Sequence, residues 1–394
     1  MTTTPIAPPL APAEAPPKPR PEVTIGGRRI PVILPKRSDP RLKLSATIWT
    51  ITLLGLTVLS FQVSIPQIAV TVLLCAAIEV GVTYRREHVL VWPASALQTG
   101  ISVAFIFRVA GTRQADYWST RGLWIFVAVA LMSLLPKYII RYNNRHVFNP
   151  SNIGLAWGLL LFGPSHVFSE HLWWAPLGAP VLVAFAVIVA GAFWVLRQVK
   201  MIPLATAFLA TFLPIIALFA LFGRDYVAAW HNGPVGGSFY WLTIALSPEV
   251  LIFTFFMITD PQTAPKSKVG RLIYASLTAV VAAVLILPQG TEFGIKVAIL
   301  SSLLVTCALT PAIDRLGRRI EARRSGEEGM VAAPEAAPVP AAKPLLRRFA
   351  AAARRPVLVA VVIIAVAAPL NTALLARDKK IVLIEQGLTT RTVQ

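Results

Sequence analysis

Cysteine is the rarest residue of this chain, and charge is scarce in it. It carries two cysteines, Cys75 and Cys307, where an iron–sulfur or structural zinc site needs about four ligands. Each falls inside an apolar run, where cysteine packs as a small apolar side chain, and no disulfide framework follows. Charged residues make up only 14% of the 394 positions, against about a quarter in a soluble domain. A Walker loop, a Gly-x-Ser-x-Gly elbow, a His-Glu-x-x-His pair and paired histidines at haem-like depth are all missing. The Gly233–Gly237 stretch lacks the lysine that would follow in a phosphate loop. The first 43 residues show no apolar core or cleavage site of a signal peptide.

What is present is hydrophobicity: 56% of residues, with a mean hydropathy of +0.66. Several runs approach or reach the roughly 20 apolar residues that cross a bilayer. Spans are expected near 44–61, 65–83, 89–107, 122–140, 150–163, 177–196, 202–222, 245–259, 271–288, 293–311 and 356–376. The reading is an all-α polytopic membrane protein.

Acids are outnumbered, 18 to 37, giving a net charge of +19. The bases sit in short loops and terminal segments, so they indicate the positive-inside rule and anionic headgroups, and not nucleic acid. Arg85-Arg86, Lys137 with Arg141 and Arg145, Arg197 with Lys200, and Lys266, Lys268 and Arg271 fall on one side; the 108–121 loop is the exception. This places the amino terminus in the cytoplasm and a carboxyl tail outside a bacterial-type plasma membrane. The expected organisation is a Pro-rich basic disordered tail (1–43), a ten-span body (44–311), a basic flexible linker (312–355), an eleventh span (356–376) and a short outer tail (377–394). Trp118, Trp124, Trp173, Trp174, Trp230 and Trp241 cluster on the outer side as an interfacial belt.

Two spans, 150–163 and 245–259, are short and begin or end at proline beside polar residues. Interrupted helices leave backbone groups that must face protein or a cavity, and pairs of them mark sites in inverted-repeat folds. The body divides into two halves of five spans; an odd-membered repeat must be inverted.

Three segments carry candidate chemistry. Phe256-Met257-Ile258-Thr259-Asp260-Pro261-Gln262-Thr263-Ala264-Pro265 ends a span with an acid and two prolines that cannot continue a helix. Asp260 with Thr259 and Thr263 can bind a cation, relay a proton or fix ligand hydroxyls; the alternative is a turn neutralised by Lys266, Lys268 and Arg271. His146-Val147-Phe148-Asn149-Pro150-Ser151-Asn152-Ile153-Gly154 opens the fifth span. There Asn149 and Asn152 offer donors and acceptors to a planar heterocycle and Phe148 a face to stack on, or else Asn149 or Ser151 only caps a helix. Ser95-Ala96-Leu97-Gln98-Thr99-Gly100-Ile101-Ser102 offers close helix packing, or backbone access to a ligand ring at Gly100. Glu79 is expected to pair with Arg85-Arg86.

These three segments resemble, in order and spacing, the RnfD/NqrB family, the membrane flavoprotein subunits of ion-pumping redox complexes. The runs at Val91–Ser95, Trp118–Gly122 and His146–Gly154 are similar to its stand-alone UnbU branch, named from enediyne biosynthesis gene clusters. The likeness covers residues 40–311 and implies two inverted five-helix repeats with flavin between them. It implies a non-covalent riboflavin or FMN site at Asn149 and Gly100, with His146 and Thr99 as neighbours. The family's second flavin is FMN esterified to threonine in a Ser-Gly-Ala-Thr motif; that motif is absent here, so covalent flavin is not expected. An electron-transfer subunit with a redox partner subunit or quinone is the leading expectation. A cation- or proton-coupled transporter of a small metabolite, and a scaffold for soluble enzymes, are the alternatives.

Overall fold

The computed structural model describes residues 21–59, 61–174, 178–325, 358 and 361–372. Four helices begin where the sequence puts an oxygen-bearing side chain ahead of proline. Asp39 accepts from the Arg41 amide at the start of α1 (Pro40–Thr57), and Ser64 forms a reciprocal capping box with Gln67 on α2 (Ile65–Glu87). Asn149 accepts from the Asn152 amide at α5 (Pro150–Phe162), and Ser247 from the Val250 amide at α9 (Pro248–Ile252). The other helices are α3 (Ala94–Ile106), α4 (Leu123–Ile139), α6 (Ala179–Val199), α7 (Ile202–Leu221), α8 (Gly237–Ala245), α10 (Lys268–Ile286), α11 (Glu292–Ser325) and α12 (Val361–Thr372). Between α9 and Thr259 the backbone widens into a single π-turn, Phe253–Met257.

Six helical segments are long and apolar enough to cross a membrane, α8 and α9 with the π-turn counting as one of them. Shorter apolar helices (α3, α4, α5, α12) complete an all-α, multi-pass membrane fold. The eighth span is longer than the sequence suggests, because α8 occupies part of the expected 223–243 loop.

The strands are short: β1 (Glu22–Ile25), β2 (Arg28–Ile33), β3 (Leu90–Val91), β4 (Phe107–Val109), β5 (Arg141–Tyr142), β6 (Arg145–His146), β7 (Val167–Ser169), β8 (Asp225–Tyr226) and β9 (Val235–Gly236). They tie loop ends together. β1 and β2 form a hairpin whose Val32 and Ile33 pair in parallel with Leu90 and Val91 of β3. Part of the expected amino-terminal tail is thus ordered, since alternating Arg29-Ile30-Pro31-Val32 finds a strand partner just ahead of α3. Residues 1–20 lie outside the described residues. The expected linker likewise begins as helix: α11 runs through Pro311 to Ser325, and residues 326–357 lie outside the description.

The packing of the two halves follows one scheme. In the first, α2 packs on α3 and α4, α4 on α5, and α1 on α3; in the second, α7 packs on α8 and α10, α10 on α11, and α6 on α9. Across the divide, α1 meets α6 and α5 meets α11, which are the equivalent helices of each half. Close approach within the first half relies on glycine. A Cβ on Gly154 would lie 1.7 Å from the Ser133 hydroxyl of α4, and one on Gly100 would lie 2.8 Å from the Val72 Cα of α2. α12 seats on the second half through buried polar contacts: Gln289 Nε2 donates to the Thr372 carbonyl at 3.1 Å, and the Ser301 and Thr372 hydroxyls are 3.0 Å apart.

Candidate functional site

Where α1 and α3 of the first half face α6 and the π-turn of the second, the helices leave a cavity of about 470 Å³. One wall is apolar: Leu44 and Ile48 from α1, Val195 and Val199 from α6, and Phe255 and Phe256 from the π-turn. The other is polar: Ser95, Gln98, Thr99 and Ser102 from α3, His146, Asn149 and Ser151 at the mouth of α5, and Thr259 and Asp260. Asp39 and Arg41 also line it, joined by bonds of 2.6 to 3.1 Å.

Local chemistry explains each placement. A π-turn inserts extra backbone into a helix, and it often sits at functional positions. Here it carries Phe255, Phe256 and Met257 past the cavity, and Pro261 ends the segment so that Asp260 stays at the rim. The β5–β6 hairpin delivers His146 to the same rim, where its Nε2 lies 3.4 Å from Asp260 Oδ2. The other Asp260 oxygen accepts from the Gln262 amide at 2.9 Å, and Arg145 donates to the Pro261 carbonyl. Asn149 bridges the halves: its Oδ1 caps α5, and its Nδ2 donates 3.3 Å to the Met257 carbonyl.

Of the residues singled out in the sequence, Thr99, His146, Asn149, Thr259 and Asp260 therefore meet around one cavity. The others face elsewhere. Gly100 abuts the backbone of α2, which is the close-packing alternative for that position. Asn152 donates 2.9 Å to the Leu300 carbonyl of α11, Phe148 is buried in the core, and the Thr263 carbonyl accepts from Thr310 of α11 at 3.0 Å. Among the described residues, Asp260 has His146 at ion-pair distance and none of Lys266, Lys268 or Arg271, so those bases do not neutralise it. Glu79 pairs at 2.6 Å with Lys137 of α4, not with Arg85 or Arg86. Trp174 is buried and hydrogen-bonded, unlike the exposed Trp118 and Trp124 of the interfacial belt.

Sequence reading missed Asp39, Arg41 and the aromatic face of Phe255. An acid just ahead of Pro40 was a legible signal; the wall formed by the π-turn was not, since nothing in Phe253–Met257 distinguishes it from ordinary helix.

The stretch from the loop ahead of α6 through most of α11 decides the comparison with known proteins. Residues 172–322 match the NQR2, RnfD, RnfE family. That stretch is the whole second half and includes the Phe256–Pro265 turn; the Ser95–Ser102 and His146–Gly154 segments lie ahead of it. The family match thus supports the RnfD/NqrB likeness read from the motifs, from a part of the chain holding one of the three. No curated protein matches the chain.

Proposed function

We propose that this multi-pass membrane protein is an RnfD/NqrB-like subunit of an electron-transfer assembly, holding one flavin non-covalently in the cavity between its halves. The observation that carries the reading is the convergence of two sequence-distant motifs, His146–Asn149 and Thr259–Asp260, on a cavity with one polar and one apolar wall. Its volume, about 470 Å³, falls within the range of small-molecule and cofactor sites. A planar tricycle with hydrogen-bonding atoms along one edge suits that division. Phe255, Phe256 and Ile48 would cover the ring faces, and Gln98, Thr99, His146 and Asp260 would meet its polar edge. Flavin, when bound, supplies the redox chemistry, and the chain supplies orientation and a shielded environment. The cavity walls hold no second redox group, so a quinone or a partner subunit would take the electrons onward.

The lack of a Ser-Gly-Ala-Thr motif supports non-covalent retention only. Likeness of Val91–Ser95, Trp118–Gly122 and His146–Gly154 to the UnbU branch supports a setting in enediyne-type natural-product biosynthesis.

The test is acid precipitation of detergent-purified protein followed by flavin chromatography of both fractions. Near-stoichiometric riboflavin or FMN in the supernatant is expected, falling at least tenfold in Ser102→Leu, which fills the cavity without touching a helix cap. Flavin retained in the pellet overturns non-covalent binding. Its absence from both fractions, even after incubation with riboflavin and FMN, overturns the redox reading in favour of transport.

A further inference from the structure

Toward the other end of the bundle from Asp260, six titratable side chains converge from four parts of the chain. They are Arg108 on β4, Glu170 and His171 just after β7, Glu249 on α9, and Glu292 and Lys296 on α11. None was singled out as a group in the sequence, because only folding brings them together. Lys296 is 5% exposed and its Nζ has no hydrogen-bond partner among the described residues, while Glu249, Glu292, Glu170 and Arg108 all lie within electrostatic reach of it. Arg108 is 8% exposed, with its Nε also unpartnered.

The protonation pattern follows from donors and acceptors. Arg108 Nη1 lies 3.3 Å from His171 Nε2, and a guanidinium only donates, so Nε2 accepts. His171 Nδ1 then carries the hydrogen and donates to Glu292 Oε2 at 3.1 Å, which makes His171 neutral. Three carboxylates against the Arg108 guanidinium and the Lys296 ammonium leave one uncompensated negative charge. A buried charge of that kind is costly, and the group holding it binds a proton instead.

The hydrogen bonds also say which group that is. Glu292 accepts from the Leu172 amide and from His171; Glu170, although burial pushes its carboxyl up, accepts from the Gln62 amide at 2.8 Å with Arg108 nearby. Among the described residues, Glu249 has only the neutral indole N–H of Trp174, at 3.0 Å. We propose that Glu249, beside the partnerless ammonium of Lys296, is the binding site of one exchangeable proton. Water supplies the proton, the carboxylate becomes a carboxylic acid, and the cluster passes from one net negative charge to none. The site stands apart from the cavity and does not rest on flavin.

Infrared spectroscopy of the full-length protein in detergent, titrated in H₂O and D₂O from mildly acid to alkaline pH, tests this directly. At neutral pH the wild type should show a protonated-carboxyl carbonyl band that shifts in D₂O and disappears on alkalinisation. The band should be absent in Glu249→Gln. Trp174→Phe, which removes only the indole donor, should move it to higher frequency, and this variant serves if Glu249→Gln fails to fold. Lys296→Met should make the band at least as intense and persist to higher pH. No band in the wild type, a band unchanged in Glu249→Gln, or no displacement in Trp174→Phe overturns the assignment. A band abolished by sodium but not by choline chloride overturns the proton in favour of an alkali cation.

Discussion

His146 and Asp260 stand 3.4 Å apart, Nε2 to Oδ2, although 114 residues separate them in the chain. Each belongs to a different half of the bundle, so the contact exists only when the halves are packed together. The imidazole and the carboxylate are also the two titratable groups that this packing brings to the cavity rim from the α5 and π-turn sides.

Asp260→Asn should separate binding from folding at this rim. Asparagine retains the oxygen that accepts from the Gln262 amide, so the turn survives. The expected outcome is an unchanged thermal melt with flavin occupancy reduced by about a factor of 10, equivalent to about 1.4 kcal/mol. Flavin release after acid precipitation measures it.

Gly100→Ala should act in the opposite way. The added methyl would press on the Val72 Cα of a neighbouring helix, and backbone cannot step aside as a flexible side chain can. Overpacking of this kind costs about 1–3 kcal/mol. A lower melting temperature, with flavin bound at unchanged stoichiometry in the protein that remains folded, is the expected result.

Ser64→Ala tests the fold away from the cavity. The Ser64 hydroxyl caps α2 and donates 2.6 Å to the Ser119 carbonyl, while Gln67 returns the reciprocal bond. Loss of the cap should cost about 1 kcal/mol and leave the flavin content unaltered. Thermal unfolding with parallel flavin assay distinguishes the two effects.

At the cavity mouth, the Arg41 guanidinium beside Asp39 holds its carboxyl below the usual aspartate range by hydrogen bonding, against the opposing effect of burial. A depressed carboxyl contributes stability above its unfolded value, and that contribution is lost as pH falls through the folded value. Arg41→Gln should therefore lower stability by a constant amount at neutral and alkaline pH, a difference that shrinks as pH falls through the Asp39 titration and disappears in acid. A series of thermal melts against pH reads the difference.

The helices were legible from their apolar runs, and four of them also from their beginnings: Asp39-Pro40, Ser64 with Gln67, Asn149-Pro150 and Ser247-Pro248 are read by local chemistry alone. Part of the cavity lining was legible as well, since Thr99, His146 and Asp260 are polar residues beside apolar runs, and Asn149, which caps α5, also reaches the cavity. What was not legible depended on partners far along the chain. Glu79 chose Lys137 of α4 over the nearer Arg85 and Arg86, because the α2–α4 packing buries both side chains together. Glu249 and Lys296 lie near the ends of the expected 245–259 and 293–311 spans, 47 positions apart, and nothing in either segment points to the other. Only the packing of α9 and α11 beside the 170–174 segment shows them enclosed.

The π-turn at Phe253–Met257 lies between two acids of one broken span, Glu249 and Asp260. An α-helix turns about 100° per residue, so one residue removed there would rotate everything beyond it by roughly that angle. Asp260 would swing away from His146 while keeping its identity, its proline neighbours and its hydropathy. The rim of this cavity is thus encoded partly as a length. A substitution scan leaves that quantity untouched, and a one-residue deletion exposes it.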